Sequence, residues 1–171
     1  MVPSLAKSLK RYALSLKQPW AALLAHGLKT IEVRRWPTAR RGLILIHAAR
    51  VPDERSEAWA HVPPELRESA RCLGGIIGEG ELTDCREYTT LDSFVADGKR
   101  HLNEPSWYKG PKLYGFTFRN LKVLPFRPYS GWMRFFEVED ERLQDMPKRA
   151  GKTQRRVHRN QEFGSERGLF P

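Results

Sequence analysis

Cysteine is scarce in this chain of 171 residues, which contains only Cys72 and Cys85. Two cysteines cannot build a disulfide framework, and these two do not form a Cys-x-x-Cys pair. No cysteines and histidines have the spacing of a zinc site either. We therefore expect two reduced thiols, with one or both buried, and neither a metal nor an organic cofactor.

Long apolar runs are also missing from the chain. None approaches the ~20 residues of a membrane-spanning helix, and the N-terminus has no apolar signal region. These absences argue against contact with a membrane. We expect a soluble, monomeric protein of the cytoplasm, or of the nucleus if the source is eukaryotic.

Acidic residues are few in the first part of the chain. The whole sequence has 30 lysines and arginines against 20 aspartates and glutamates, a net charge of +10. Residues 7–50 contain ten basic residues and one acidic residue, whereas residues 51–110 contain seven basic and twelve acidic residues. A basic chain of this size commonly binds a polyanion, and the asymmetry indicates one polarised face.

The apolar pattern predicts five to six short strands and two or three helices. Alternating or continuous apolar segments predict strands at 12–16, 30–34, 43–48, 74–82, 112–119 and 132–138. Helices are predicted at 19–26, at 52–71 with a break at Pro63-Pro64, and at 89–103, the last being a helix or an irregular segment. Glycines within 74–82 indicate sharp bends or close backbone approach. The order favours an α+β fold, a mixed β-barrel flanked by helices.

Local periodicity also predicts which side chains face inward. In the strand at 30–34, Ile31 and Val33 should point into the core and Glu32 and Arg34 outward. Trp20 shares a helical stripe with leucines and is expected in the core.

The chain is divided into three parts by composition. Residues 1–11 are expected to form a flexible basic arm, residues 12–144 a single domain, and residues 145–171 a disordered basic tail that adds affinity for a polyanion. The basic residues of that tail are Lys148, Arg149, Lys152, Arg155, Arg156 and Arg159.

One group of residues resembles a known family. Gly27, Lys29, Glu32 and Arg34 match every position of the pattern Gly-x-Lys-x-x-Glu-x-Arg, and Gln18-Pro19-Trp20 precedes them. This arrangement resembles the activating-signal-cointegrator homology (ASCH) domain, over residues 12–138. Further segments resemble the coactivator-type branch of that family: Trp36, Arg41-Gly42, His47-Ala48-Ala49, Gly75-Ile76-Ile77-Gly78 and Tyr129-Ser130-Gly131.

The resemblance implies a barrel of the pseudouridine synthase and archaeosine transglycosylase (PUA) type, with a basic cleft suited to RNA or DNA. Some small bacterial members hydrolyse an acylated cytidine with a lysine, a threonine and a glutamate, and others act as ribonucleases. In this chain Glu32 stands three residues after Lys29, where the hydrolases carry threonine. Thr30 does not restore that spacing, so the pattern disfavours the amidohydrolase activity.

Lys29 and Glu32 are the first candidate site residues. On a regular strand, positions three apart face opposite sides, so the two side chains converge only if Lys29 belongs to the turn after Gly27. They would then be catalytic, if the protein is an enzyme, or contact nucleic acid, or form a structural ion pair. A catalytic lysine needs a pKa lowered by burial, whereas Glu32 favours the charged form.

The other candidates combine positive charge with aromatic rings. Lys17 and Gln18 precede a helix start, where backbone N–H groups bind phosphate. Arginines around a tryptophan fit phosphate contacts and base stacking, although solvated charges around a core tryptophan are the alternative. The predicted nucleic-acid-binding residues are Lys17, Gln18, Lys29, Glu32, Arg34, Arg35, Trp36, Arg40, Arg41, His47, Arg50, Trp107 and Tyr108.

Three functions therefore remain open. The pattern favours a module that binds RNA or DNA in a basic cleft. The first alternative is a metal-independent hydrolase, a ribonuclease or a nucleoside amidohydrolase, with Lys29 and Glu32 as catalytic residues. The second is a coactivator-like adaptor whose acidic segment, 51–110, contacts a protein partner.

Overall fold

A computed structural model describes residues 10–139, and these residues form one six-stranded sheet with half-barrel curvature. The strands are β1 (Arg11–Leu16), β2 (Ile31–Arg34), β3 (Gly42–Ala48), β4 (Gly75–Tyr88), β5 (Leu113–Pro128) and β6 (Phe135–Val138). Their order across the sheet is β2-β5-β4-β3-β1-β6. The expected α+β fold with a curved, mixed sheet is confirmed.

Strand pairing is antiparallel except between β1 and β3, which run parallel with Leu14 opposite Ile46. A parallel pair needs a crossover connection, and here the crossover contains the first helix, α1 (Trp20–Ala25). α1 lies so close to β4 that a Cβ added to Gly78 would be 2.7 Å from the Cβ of Ala25. The glycine at this position therefore permits the close approach that the glycine-rich strand predicts.

The remaining helices are short. They are α2 (Ser56–Trp59), α3 (Leu91–Ala96) and α4 (Gly98–His101), with 3₁₀ turns at Pro64–Leu66, Ser69–Arg71 and Pro105–Trp107. The predicted helical segment 52–71 is thus one helical turn and two 3₁₀ turns, because the Pro63-Pro64 pair prevents a continuous helix. The segment 89–103 is two helices, the first capped by Thr90.

The last two strands differ most from their predicted limits. β5 continues to Pro128, well beyond the predicted end at residue 119, because it stays paired with β4 along its length. β6 begins at Phe135, so the predicted start at residue 132 is too early. Residues 130–134 instead form a loop that borders the cleft described below.

The core lies between the sheet and α1, all of whose residues are buried. Aromatic rings bring the two ends of the sheet together. Phe116 of β5 stacks on Phe135 of β6 with ring centroids 6.0 Å apart. Trp36 meets these two rings edge-on, at 5.0 and 5.6 Å. This contact closes one side of the half-barrel, next to the end of β2.

The predictions for the two ends of the chain need adjustment or lie outside the described residues. Arg11 belongs to β1 and not to a flexible arm. The rest of the predicted arm, apart from Lys10, and the whole tail at 145–171 lie outside the described residues.

Cys72 and Cys85 are free thiols and both are partly buried. In the part of the chain that the structure describes, no helix is long and apolar enough to cross a membrane.

Candidate functional site: a cationic cleft lined by indole rings

A cleft of about 1140 Å³ opens where the ends of β1, β2 and β3 meet the loop 130–134. Of the residues that the structure describes, six cationic side chains and two carboxylates line it, together with four of the chain's five tryptophans. The cations are Lys17, Lys29, Arg34, Arg50, Arg55 and Arg134, the carboxylates are Glu32 and Asp53, and the indoles are Trp20, Trp36, Trp107 and Trp132.

The deepest charged pair is Lys29 and Glu32, whose Nζ and Oε2 atoms are 2.7 Å apart. Gly27 has a φ of 76° and ends α1, and the Lys29 N–H then donates to the carbonyl of Leu23 at 3.0 Å. Lys29 therefore belongs to the turn and not to β2, which is the condition for its convergence with Glu32. Arg34 approaches the other carboxylate oxygen, with Nε 3.0 Å from Oε1.

Burial controls the electrostatics of this pair. The Lys29 side chain is only 2% exposed, and burial lowers its pKa from the ordinary value, although Glu32 opposes the shift. Burial by itself raises the pKa of Glu32, but Lys29 and Arg34 together outweigh it and lower the pKa. Glu32 is buried, not directed to solvent as the strand alternation predicts, and it remains an anion between two cationic groups.

One wall of the cleft is built around Asp53. Its carboxylate accepts a hydrogen bond from Trp20 Nε1 at 2.8 Å and from Arg55 Nε at 2.8 Å, and a second Arg55 nitrogen pairs with it. Hydrogen bonding from Arg55 is the main reason that the pKa of Asp53 lies well below its usual range. The Arg55 guanidinium also lies 3.5 Å from the Trp107 ring centroid. Asp53 is therefore fully engaged within the protein and fixes this wall.

The opposite wall contains His47 of β3 and Ser15 of β1. His47 Nε2 lies 2.9 Å from the carbonyl of Tyr129, and Nδ1 lies 3.0 Å from Ser15 Oγ. Because a carbonyl only accepts, Nε2 carries the proton and Nδ1 accepts from the serine hydroxyl. Burial lowers the pKa of His47, so the neutral ring is favoured. Arg34 donates to the Ser15 carbonyl at 2.8 Å.

The rim of the cleft is exposed and positively charged. Trp132 is 75% exposed and Met133 is 92% exposed, both in the loop before β6. Lys17, Arg50 and Arg134 take part in no ion pair within residues 10–139. These cations are thus available to an anionic ligand, and an exposed indole lies beside them.

The ASCH domain model matches residues 14–138, most of the chain. The chain belongs to the ASCH domain family. Solved structures of an ASCH protein from Zymomonas mobilis have the same fold: one shows a TM-score of 0.57 and 15% identity over 79% of this chain and 92% of that chain. A serine-to-alanine variant of that protein gives 0.56 and 15% over 80% and 94%. No curated protein matches the chain.

At this identity the likeness shows the fold alone, a PUA-like half-barrel. Within this ASCH chain, the structure brings eight of the predicted site residues into the cleft. They are Lys17, Lys29, Glu32, Arg34, Trp36, His47, Arg50 and Trp107. The other five, Gln18, Arg35, Arg40, Arg41 and Tyr108, do not line it.

Gln18 has a structural role in this ASCH domain. It is fully buried, and its amide nitrogen donates to the carbonyls of Ser69 and Cys72, each at 3.0 Å. Its amide oxygen accepts from the N–H of Ala22 at 3.0 Å. The predicted phosphate contact by Gln18 is therefore wrong, because neither amide atom is open to a ligand.

The predicted group of arginines around Trp36 is divided between two surfaces. Arg34 reaches into the cleft, but Arg35 is exposed outside it. Arg40 lies over the ring of Tyr12 at 3.6 Å, and Arg41 is 3.6 Å from Asp84. Neighbouring side chains along this segment point to different sides, so the sequence predicted a larger arginine cluster around Trp36 than the structure contains.

Tyr108 does not share the position of Trp107. Its hydroxyl donates to the carbonyl of Pro111 at 3.2 Å, and its ring packs against Phe94 with centroids 5.8 Å apart. Tyr108 therefore supports the helical layer behind the cleft.

Several cleft residues carried no sequence signal. Asp53 and Arg55 follow the family pattern only after β3 and the loops on either side of it, and Trp132 and Arg134 lie within a predicted strand. Ser15 could have been found, since it lies at the end of a predicted strand, two residues before the candidate Lys17, and both line the cleft. Among residues 10–139, no three histidine, cysteine, aspartate or glutamate side chains are placed to hold a metal ion.

Proposed function

We propose that this ASCH protein binds nucleic acid, RNA or DNA, as a strand with unpaired bases, in the cationic cleft. The observation that supports it most is the rim, where Lys17, Arg50 and Arg134 have no carboxylate partner among residues 10–139 and Trp132 is 75% exposed in the same cleft. Cations of this kind bind backbone phosphates, and an exposed indole stacks on a base.

The interior of the cleft supports the same ligand. Both carboxylates that line it, Glu32 and Asp53, are already paired with cations of the protein, so they repel a polyanion little. The exposed indole is open to a ring from outside, and only a base that is not stacked in a duplex can offer its whole face. A single strand therefore fits better than a double helix. Placement of the chain in the coactivator-type branch is part of this proposal.

The test is binding of labelled single-stranded RNA, single-stranded DNA and duplex DNA to the full chain at 50 and 200 mM salt. We expect single strands to bind more tightly than the duplex, and affinity to fall by at least ~10-fold between the two salt concentrations. Absence of binding at low salt, or affinity that does not respond to salt, would contradict the proposal.

Two matched pairs of variants locate the binding surface. Arg50→Ala should weaken binding and reduce the salt slope by about 1, whereas Arg35→Ala, an exposed arginine outside the cleft, should change neither. Trp132→Ala should weaken single-strand binding by roughly 5-fold or more. Phe126→Ala, which removes a half-exposed ring outside the cleft, should have no effect. Equal losses in both members of a pair would place the ligand elsewhere.

A second candidate function, a metal-independent hydrolase acting on RNA or a modified nucleoside, is supported by the buried Lys29–Glu32 pair. Burial lowers the pKa of Lys29, and a lysine in this state transfers protons more readily. Strands recovered from the binding experiment, separated on a gel, test this function. Shortened strands with the native chain and intact strands with Lys29→Ala would support it. Cleavage that persists in Lys29→Ala would exclude Lys29 as the catalytic group.

A further inference from the structure

The wall of the cleft opposite Asp53 contains an arrangement that nucleic-acid binding does not require. Ser15 Oγ lies 3.0 Å from His47 Nδ1, and His47 Nε2 lies 2.9 Å from the carbonyl of Tyr129. Both side chains line the cleft, and Ser15 is half-buried, not sealed in the core. A hydroxyl, an imidazole base and a group that orients the base are thus in line at a solvent-connected surface.

The direction of these hydrogen bonds gives the pair its chemistry. The Tyr129 carbonyl accepts the proton of Nε2, so the Nδ1 lone pair can only accept the proton of the Ser15 hydroxyl. This is the relation between nucleophile, base and orienting group in activated serines, with the two ring nitrogens exchanged. The lowered pKa of His47, due mainly to burial, keeps the ring unprotonated and able to take that proton near neutral pH.

The ring is also held by packing. A Cβ added to Gly131 would lie 2.3 Å from His47 Cε1, so the backbone at Gly131 presses directly against the imidazole. Phe136 contacts the ring edge-on, with centroids 5.4 Å apart. Two hydrogen bonds and two packing surfaces leave His47 one orientation, which is what a general base requires.

Cationic side chains line the cleft that Ser15 faces. Arg34 donates to the backbone carbonyl of Ser15 itself at 2.8 Å, and Arg50 is close enough to His47 to lower its pKa further. Lys17 directly follows β1, and it lines the same cleft as Ser15. A tetrahedral oxyanion formed at Ser15 would be stabilised by these cations, and an anionic substrate would be attracted to them.

We infer that Ser15 is a nucleophilic serine, activated by His47, which cleaves a carboxylic ester that carries negative charge near the scissile bond. Ser15 Oγ bonds to the acyl carbon while its proton passes to His47 Nδ1. The ester C–O bond then breaks, and the leaving alcohol takes the proton from His47. Water, deprotonated by His47 in the same way, hydrolyses the acyl-serine and regenerates the hydroxyl. The net reaction converts ester and water to acid and alcohol.

Covalent labelling tests the nucleophile. The full chain is treated with a fluorophosphonate probe, which forms a P–O bond with the serine and releases fluoride, and the modified residue is located by mass spectrometry. We expect one adduct, on Ser15. It should be absent in Ser15→Ala and unchanged in Ser130→Ala, which removes another hydroxyl of the same cleft. No adduct on Ser15 would overturn the inference.

The role of His47 has its own readouts. His47→Gln should label about 100-fold more slowly, as expected on loss of a general base, and labelling at an unchanged rate would overturn the role. If this variant does not fold, the pH dependence of labelling in the native chain tests the role of His47 instead. Its labelling rate should rise with pH through one ionisation below 6.5 and then level off, because the pKa of His47 is lowered from that value. A rate with no such ionisation contradicts the base.

Substrate charge is tested with two chromogenic esters, p-nitrophenyl acetate and the monoanion of p-nitrophenyl succinate. Turnover of the anionic ester should exceed that of the acetate by at least ~10-fold and fall in Arg50→Ala. Equal turnover would overturn the anionic class. Nucleic-acid binding by the native chain is measured in parallel. Binding without an adduct on Ser15 would overturn this inference alone, and an adduct on Ser15 without binding would overturn the proposed binding function alone.

Discussion

Two buried histidines of this fold, His47 and His101, make similar hydrogen bonds at Nε2 and different ones at Nδ1. In both His47 and His101, Nε2 lies within 2.9 Å of a backbone carbonyl, and burial lowers the pKa. They differ at Nδ1. In His101 this nitrogen accepts from the backbone N–H of Asn103 at 3.0 Å, whereas in His47 it accepts from the hydroxyl of Ser15.

This difference at Nδ1 distinguishes His101, which has a structural role, from His47, whose Nδ1 accepts a proton that can be transferred. A backbone N–H is not transferred, so both nitrogens of His101 are committed, Nε2 to the Phe94 carbonyl of α3 and Nδ1 to the loop after α4. The hydroxyl of Ser15 faces a cleft and can exchange its proton. Burial and a lowered pKa are therefore not enough to mark a functional histidine, and the second hydrogen-bond partner decides.

The largest expected effect separates the two histidines by stability. His101 is fully buried and stacks on Phe94 with centroids 4.2 Å apart, so His101→Ala leaves a cavity and unpaired backbone groups. We expect the free energy of unfolding to fall by about 3 kcal/mol. Urea unfolding measures it. Fluorophosphonate labelling of Ser15 should be unchanged in the folded fraction, and a large loss of labelling would erase the distinction between the two histidines.

Alanine substitutions at two separate glycines are expected to show the next largest difference in stability. Gly131→Ala places a Cβ against the His47 ring and should cost about 1 to 2 kcal/mol, because the ring must move. Gly98→Ala is the matched control, since nothing lies within 4 Å of its Cβ position, in the first turn of α4 beside His101. Thermal unfolding of both variants checks this. Equal stability of the two variants would mean that Gly131 does not hold His47 in place.

Acidification should affect both histidines in the same direction. Their folded pKa values are lowered, so below the unfolded value of 6.5 the unfolded chain binds more protons than the folded chain. Stability should be complete above pH 6.5 and decline as the pH falls to 5. Denaturant midpoints at pH 7.5 and 5 measure the decline. The double variant His47→Gln, His101→Gln should reduce it, and an undiminished decline would assign it to other groups.

The smallest expected effect is also the most specific to the comparison. Ser15→Ala removes the hydrogen bond that favours neutral His47, so the pKa of His47 should rise while that of His101 stays constant. The loss of stability should be at most about 1 kcal/mol. Histidine NMR signals followed through a pH titration give both pKa values. If the His47 signal titrates as before, Ser15 does not donate to it.

Much of the frame could be predicted from the sequence. Alternation and apolar runs located all six strands, since a strand with one buried face repeats every two residues whatever its partners are. The limits of β5 could not be predicted, because pairing with β4 extends it through Lys122 and Arg127, residues with no strand pattern. Helices of four residues, such as α2, depend on tertiary contacts and leave little periodicity.

Only part of the candidate site could be predicted from the sequence, for a similar reason. Lys29 and Glu32 are close in sequence, and Gly27 indicates a turn before Lys29, so the condition for their convergence could be stated from the sequence. Ser15 and His47 meet only because β1 and β3 pair in parallel, with these two residues opposite each other in the register. No local pattern records that register, so the sequence indicates the histidine as a candidate but not the serine.

Gln18 has a consequence for how relatives of this protein are grouped. Its backbone carbonyl accepts from Asp53 N–H at 2.7 Å, and its amide ties the start of α1 to the segment around residues 69–72. The Gln-Pro-Trp opening thus has a structural role, and it also holds Asp53 of the cleft wall in place. Relatives that share this opening are therefore expected to share the scaffold, whatever side chains they carry at positions such as Ser15 and Trp132.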